Sequence, residues 1–190
     1  MVEWSQLLLP ALLATGLVFV ASSLIHMVLK LHNPDYKKLS NESEVGAAIR
    51  KGAPAPGQYI MPHCLEGKDA GSPEMAQKFA EGPNVVMWIR PNGGFKLGPF
   101  LGKWIVYSFL VSLISGYVAH SALPSTTEYL KVFQVVGAAA WLAYSWAGPA
   151  DSIWKGKPWA ITIRGMFDGL VYAGLTAGAF AWLWPRAIGG

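Results

Sequence analysis

An all-α membrane protein, a four-helix transmembrane bundle with a mixed cytoplasmic insert between its first two helices, is the fold class this sequence predicts. Three observations predict it. Four stretches, residues 7–31, 104–123, 129–148 and 160–184, are apolar over about the 20 residues a helix needs to cross about 30 Å of hydrocarbon. Charged residues make up only 14% of the 190, against about 25% in soluble domains, and the chain carries nine Trp. Finally, nine of the fifteen Lys and Arg lie in segment 32–103, and Lys155 and Lys157 lie in segment 151–159. Alternation across a bilayer puts both segments on one face, and a Lys and Arg excess marks that face as cytoplasmic. The chain then reads as a single membrane domain, 1–190, with its insert at 32–103 inside and both termini outside.

Taken in order, the first span tolerates Pro10 because its first turns lack backbone acceptors for those N–H groups in any case. Trp4 suits an interfacial anchor, and Glu3 without any Lys or Arg before the span is unlike the basic start of a cleavable signal. In the insert, Asn41 with Glu44 predicts a capped helix to Lys51, and Ser72-Pro73-Glu74 opens a second that runs to Glu81 before Gly82. Val85–Ile89 is β-prone, and Pro91-Asn92-Gly93-Gly94 predicts a turn into Phe95-Lys96-Leu97, a small β-hairpin with residues 58–61 as a candidate third strand. Trp104 and Tyr107 mark the inner end of the second span and Tyr117 its outer end, with Pro124 as its stop. Ser125 and Glu128 have capping-box spacing before the third span, which is the weakest because Lys131 and Gln134 occupy its first turns. A three-span alternative would reverse the C-terminus. In the fourth span Gly165 with Gly169, and Gly174 with Gly178, put small residues on one face for a close helix neighbour, ahead of Trp182, Trp184 and Pro185.

Composition also limits the chemistry. The formal charge of +4 is spread over membrane-flanking segments without an aromatic and basic reading face, so lipid headgroups are the expected partner and nucleic acid is not. One cysteine, Cys64, excludes an internal disulfide framework. His26 and His120 fall at opposite ends of their spans, roughly 20 Å apart in depth, which excludes them as two axial ligands of one haem. Met61, His63 and Cys64 form a soft-metal candidate set, with His32, Met75 and Met87 as possible supplements. His26 and Asp168 fall at one depth and form a candidate intramembrane polar pair, for which Arg164 competes through i, i+4 pairing with Asp168. The Gly98–Lys103 stretch is no phosphate loop, having three residues between its glycines and Trp104 in place of Ser or Thr. Asp151-Ser152 has no neighbouring His to complete a triad, and no cofactor is expected.

The runs Pro56-Gly57-Gln58-Tyr59-Ile60-Met61-Pro62, Gly82-Pro83, Asp151-Ser152-Ile153-Trp154, Asp168-Gly169-Leu170 and Trp182-Leu183-Trp184-Pro185 resemble a group of small uncharacterised bacterial inner-membrane proteins. The resemblance implies a multi-pass protein of the bacterial inner membrane and adds no reaction. The leading expectation is a non-catalytic integral membrane protein, free-standing or an accessory subunit that meets a partner or a second copy through its fourth span. The alternative is a proton- or metal-handling protein built on His26 with Asp168, or on His63 with Cys64.

Overall fold

The structure, a computed structural model, describes residues 4–64 and 67–184, so Glu3 and Pro185 lie outside the described residues. In chain order the helices are α1 (Leu8–Ser23), α2 (Glu42–Gly52), α3 (Gly67–Ala70), α4 (Pro73–Glu81), α5 (Leu97–Ala122), α6 (Tyr129–Ser145), α7 (Gly148–Lys155) and α8 (Trp159–Trp182). Strands β1 (Gly57–Met61) and β2 (Val85–Ile89) form a two-stranded antiparallel sheet. The chain is thus mostly helical and makes two compact units, one from the chain up to Tyr36 and from Lys96 onward, the other Lys37–Phe95.

In the helical unit α1 packs on α5, α5 on α6, α6 on α8, and α8 back on α1, closing a ring of four long helices. Many of its interior residues are small, Ala11, Ala14, Ser108, Ser112, Ser115, Ala119, Ala140, Ala173 and Ala177 among them, packed with the larger Leu7, Val18, Val132 and Val136. Large apolar residues face out, among them Leu9, Leu12, Val20, Val106, Leu110, Ile114, Ile163 and Leu170. Phe180, fully buried on α8, fills the space left by Gly116 on α5, where a Cβ would collide with its ring. Trp4 stacks on Tyr117 at 5.2 Å and reaches His120 at 4.9 Å, so the start of α1 meets the end of α5. At the other end Trp104 Nε1 donates to Ser22 Oγ at 2.9 Å. His26 and His120 therefore sit at opposite ends of the ring.

Two helical stretches, Trp4–Val28 and Leu97–Ala122, are long and apolar enough to cross a membrane. The second begins seven residues before the 104–123 stretch read from the sequence, with Pro99 tolerated in its first turn. Over 129–148 the helix is shorter than expected: α6 has 17 residues and ends at Ser145, and Gly148-Pro149 opens the separate α7. The anticipated Ser125 capping box does not form. Glu128 itself occupies the cap position without a side-chain bond, and Thr127 Oγ1 instead donates to the Pro124 carbonyl at 2.7 Å.

In the second unit Ser72 caps α4 as expected, its Oγ accepting from Met75 N–H at 3.2 Å. Lys78 Nζ donates to Glu74 Oε1 at 2.7 Å, one turn away, and holds that carboxyl below its ordinary value. Asn41 precedes α2 but makes no side-chain cap. The expected hairpin is corrected: β2 pairs with β1, in the register Gly57↔Ile89, Tyr59↔Met87 and Met61↔Val85, and Leu97 belongs to α5. The pairing is held across the sheet by Trp88 Nε1 donating to Gln58 Oε1 at 3.1 Å. Ser72→Ala should cost α4 about 1 kcal/mol, the usual worth of such a cap, and raise amide exchange at Met75. Unchanged exchange there would remove the cap from the account of this helix.

Candidate functional site

The site is built where the first helix stops being regular. After Ser23 the turn widens over Leu24–Val28, and Leu29 N–H reaches back five residues to the Leu24 carbonyl at 2.8 Å. Such single wide turns shift the side chains that follow out of the register of an α-helix. Lys30 then adopts a left-handed backbone at φ 52°, a conformation that side chains other than Gly seldom take. Asn33-Pro34-Asp35 forms a tight turn, in which Asp35 N–H donates to the His32 carbonyl at 3.0 Å. The chain is reversed, and the His32 ring lies flat against that of His26, centroids 4.6 Å apart and planes 9° from parallel.

Four further groups converge on this pair. His32 Nδ1 is 2.7 Å from Asp35 Oδ2, and His32 Nε2 is 2.7 Å from Asp168 Oδ2 on α8. Arg164, one turn before Asp168, pairs with the second oxygen of Asp35. His26 Nδ1–H donates to the Ser22 carbonyl at 3.1 Å, an oxygen that can only accept, so its Nε2 is left facing Asp168 Oδ2 at 3.9 Å. Both carboxylates are buried, at 4% and 8% side-chain exposure, while His26 is half exposed. Since carboxylate oxygens flank both nitrogens of His32, its two short bonds need either a doubly protonated ring or a proton on one carboxyl. With the ring protonated, Arg164 and His32 balance Asp35 and Asp168. That balance explains how two acids can be buried here together.

Beside this network a cavity of about 570 Å³ opens between α1, α5, α6 and α8. Ser22, His26 and Asp168 form its polar wall, and Met27, Leu97 and Leu101 line it further along. The rest is aromatic: Trp104 stacks on Tyr107 at 5.5 Å and meets Tyr172 edge-on at 5.7 Å, and Tyr144 meets both Tyr107 and Tyr172 edge-on. The Tyr144 hydroxyl lies among the Ser108, Ser112 and Thr176 hydroxyls, while the Tyr172 hydroxyl is buried with no hydrogen-bond partner among the described residues. Leaving such a group unpaired costs about 1–3 kcal/mol.

Of the residues singled out in the sequence, His26 and Asp168 face one another, but Arg164 turns to Asp35 and makes no i, i+4 pair with Asp168. The carboxylate across from it on the folded-back turn is the stronger draw, being buried where Arg164 can still reach it. His32 and Asp35 had been read as part of the insert, His32 at most as a supplement to Cys64. The only signal for them was local, a His and an Asp three residues apart beside Pro34 at the end of a span. Met61 and His63 line a small depression with Lys78 and Glu81, and Cys64 is not part of that lining. Among the described residues, the group of His, Cys and carboxylate atoms close enough to share an ion is His26, His32 and Asp168.

The four glycines also separate. A Cβ on Gly169 would overlap Ser145 Oγ, so this residue sets the approach of α6 to α8. Gly178 lies only at ordinary contact distance from the Tyr129 hydroxyl, 3.9 Å, and neither Gly165, in the cavity wall, nor Gly174 has an atom within 4 Å of a Cβ. These last two therefore have no close helix neighbour among the described residues. No family model, curated protein or solved structure matches the chain.

Proposed function

We propose that this is a multi-pass protein of a bacterial inner membrane, of the kind its sequence resembles, that binds a lipid-soluble molecule with a planar ring and a polar oxygen. The observation that carries the reading is the cavity: four aromatic rings and a carboxylate–imidazole wall around one space of about 570 Å³. That size suits a ring compound, since sites for small organic ligands run from about 300 to 1,000 Å³. Ring faces and edges would receive the planar body, and the His26–Asp168 wall would receive its oxygen.

The membrane part of the reading is supported by how the residues are distributed. Many large aliphatic side chains lie outside while Ala, Ser and Gly share the interior with Leu7, Val18, Val132, Val136 and Phe180, a distribution that helices packed in lipid favour. The two longest apolar windows are only 39% and 17% buried in the fold, unlike the core helices of a water-soluble domain. In this reading α6 and α8 complete four spans, the termini lie outside, and the segment 37–95 is cytoplasmic. Trp154, 84% exposed on α7, would lie in the headgroup layer. The accessory-subunit reading draws on Gly174, beside which a partner helix would find open space.

The test uses the purified protein in detergent and a short-chain benzoquinone as probe. Trp104 lines the cavity, so saturable quenching of tryptophan fluorescence is expected, and Trp104→Phe should remove most of it. His26→Leu should weaken binding about fivefold, the equivalent of one hydrogen bond of about 1 kcal/mol. Quenching that rises without saturation and is the same in both variants would show mere partition into the micelle and would sink the reading.

A further inference from the structure

We propose that His26 Nε2, His32 Nε2 and a carboxylate oxygen of Asp168 together bind one divalent first-row transition metal ion. The proposal deepens the cavity reading above, because His26 and Asp168 belong to the cavity wall.

The donor atoms lie within 4.8 Å of one another, with Asp168 Oδ2 at 2.7 Å from His32 Nε2 and 3.9 Å from His26 Nε2. Around an ion about 2.0–2.2 Å from each donor, neighbouring donors sit about 3–3.5 Å apart, so the present spacings bracket the required ones. The rings must fan out from their parallel stack to aim both lone pairs at one point. His26 is the ring free to do so, being half exposed and held by a single bond.

Arrangement around the donors points the same way. A histidine that ligates through Nε2 characteristically gives its Nδ1–H to a carboxylate or a backbone carbonyl, which fixes the tautomer and the ring plane. Both histidines do this, His32 to Asp35 and His26 to the Ser22 carbonyl. Asp35 is in turn held by Arg164. Together these contacts present two Nε2 atoms to one carboxylate. The ion would take the place of the proton held between His32 Nε2 and Asp168, and that proton leaves to solvent. Two imidazoles and a carboxylate suit Zn²⁺, Fe²⁺ or Co²⁺ rather than Mg²⁺ or Ca²⁺, which prefer oxygen alone. Three protein donors leave at least one coordination position open.

Co²⁺ is the probe, titrated into the metal-stripped full-length protein in detergent. One ion per chain is expected, with visible ligand-field bands and no intense near-ultraviolet charge transfer, since no thiolate takes part. His32→Ala and Asp168→Asn should each weaken binding at least 100-fold, and Asp35→Asn 10–100-fold, the usual range for loss of a supporting carboxylate. Cys64→Ser and His63→Ala should bind as the parent does. Helical circular dichroism of each variant separates lost binding from lost folding, and His26→Gln, on the half-exposed ring, supplies a substitution that spares the buried carboxylates. Binding that survives His26→Gln, His32→Ala and Asp168→Asn, or that disappears in Cys64→Ser, overturns the proposal. Absence of stoichiometric Co²⁺ binding with benzoquinone quenching intact overturns the metal site alone. Co²⁺ binding without saturable quenching supports the metal site and removes the ring-compound reading.

Discussion

Gly169→Leu is expected to cost at least about 3 kcal/mol and to lower the thermal midpoint of the protein in detergent more than any other single glycine replacement on α8. At this position a side chain has nowhere to go: besides overlapping Ser145 Oγ, a Cβ would stand 3.1 Å from Tyr144 Cβ and 3.2 Å from Ser145 Cβ, atoms fixed to the α6 backbone. Overpacking that is relieved by a shift of rotamer costs about 1–3 kcal/mol; here the whole helix must move, which puts the effect at or above the top of that range. The displacement would also break the bonds that Trp141 Nε1 and Ser145 Oγ donate to the Met166 carbonyl, at 3.3 and 3.4 Å. Because Tyr144 is a wall of the cavity, ligand quenching should fall with stability. Gly174→Leu is the control, its Cβ direction being open, and should change stability by less than about 0.5 kcal/mol. Equal midpoints for the two variants would show that α6 and α8 do not meet at Gly169.

Reading the apolar stretches as depths worked where depth alone decides. It placed His26 and Asp168 at one end and His120 at the other, because a helix converts sequence number into height at a fixed rise. It could not find His32 and Asp35, since what brings them back is a widened turn and a left-handed Lys30, neither of which leaves any periodic trace in sequence. Glycine spacing likewise reports a face and not a neighbour. Two pairs four residues apart have equivalent spacing, yet of the four only Gly169 is pressed closely by another helix, through the Tyr144 and Ser145 side chains. The strand partner was misread for the opposite reason, a strong local signal. Asn92-Gly93 predicts a tight hairpin, but the run beyond it starts α5, and β2 pairs instead with a strand more than twenty residues earlier.

Local and distant partners compete most directly at Arg164, and a double-mutant cycle decides between them. Arg164→Met keeps the aliphatic stem and removes the charge, leaving the Asp35 carboxylate, 4% exposed, with only His32 to balance it. Removing one partner of a fully buried pair costs about 3–5 kcal/mol. Since the Arg164 side chain is 39% exposed and so partly screened, about 2–3 kcal/mol is the expected loss here. In an Asp35→Asn background the same change should cost less than about 1 kcal/mol, because no unpaired charge is left behind; the coupling is then about 1–3 kcal/mol. In an Asp168→Asn background Arg164→Met should cost nearly what it costs in the parent. Helical spacing alone predicts the reverse, coupling to Asp168 and none to Asp35. The outcome bears on the metal site as well, for Arg164 bound to Asp168 would compete with an ion for that carboxylate, whereas Arg164 bound to Asp35 steadies the histidine that presents it.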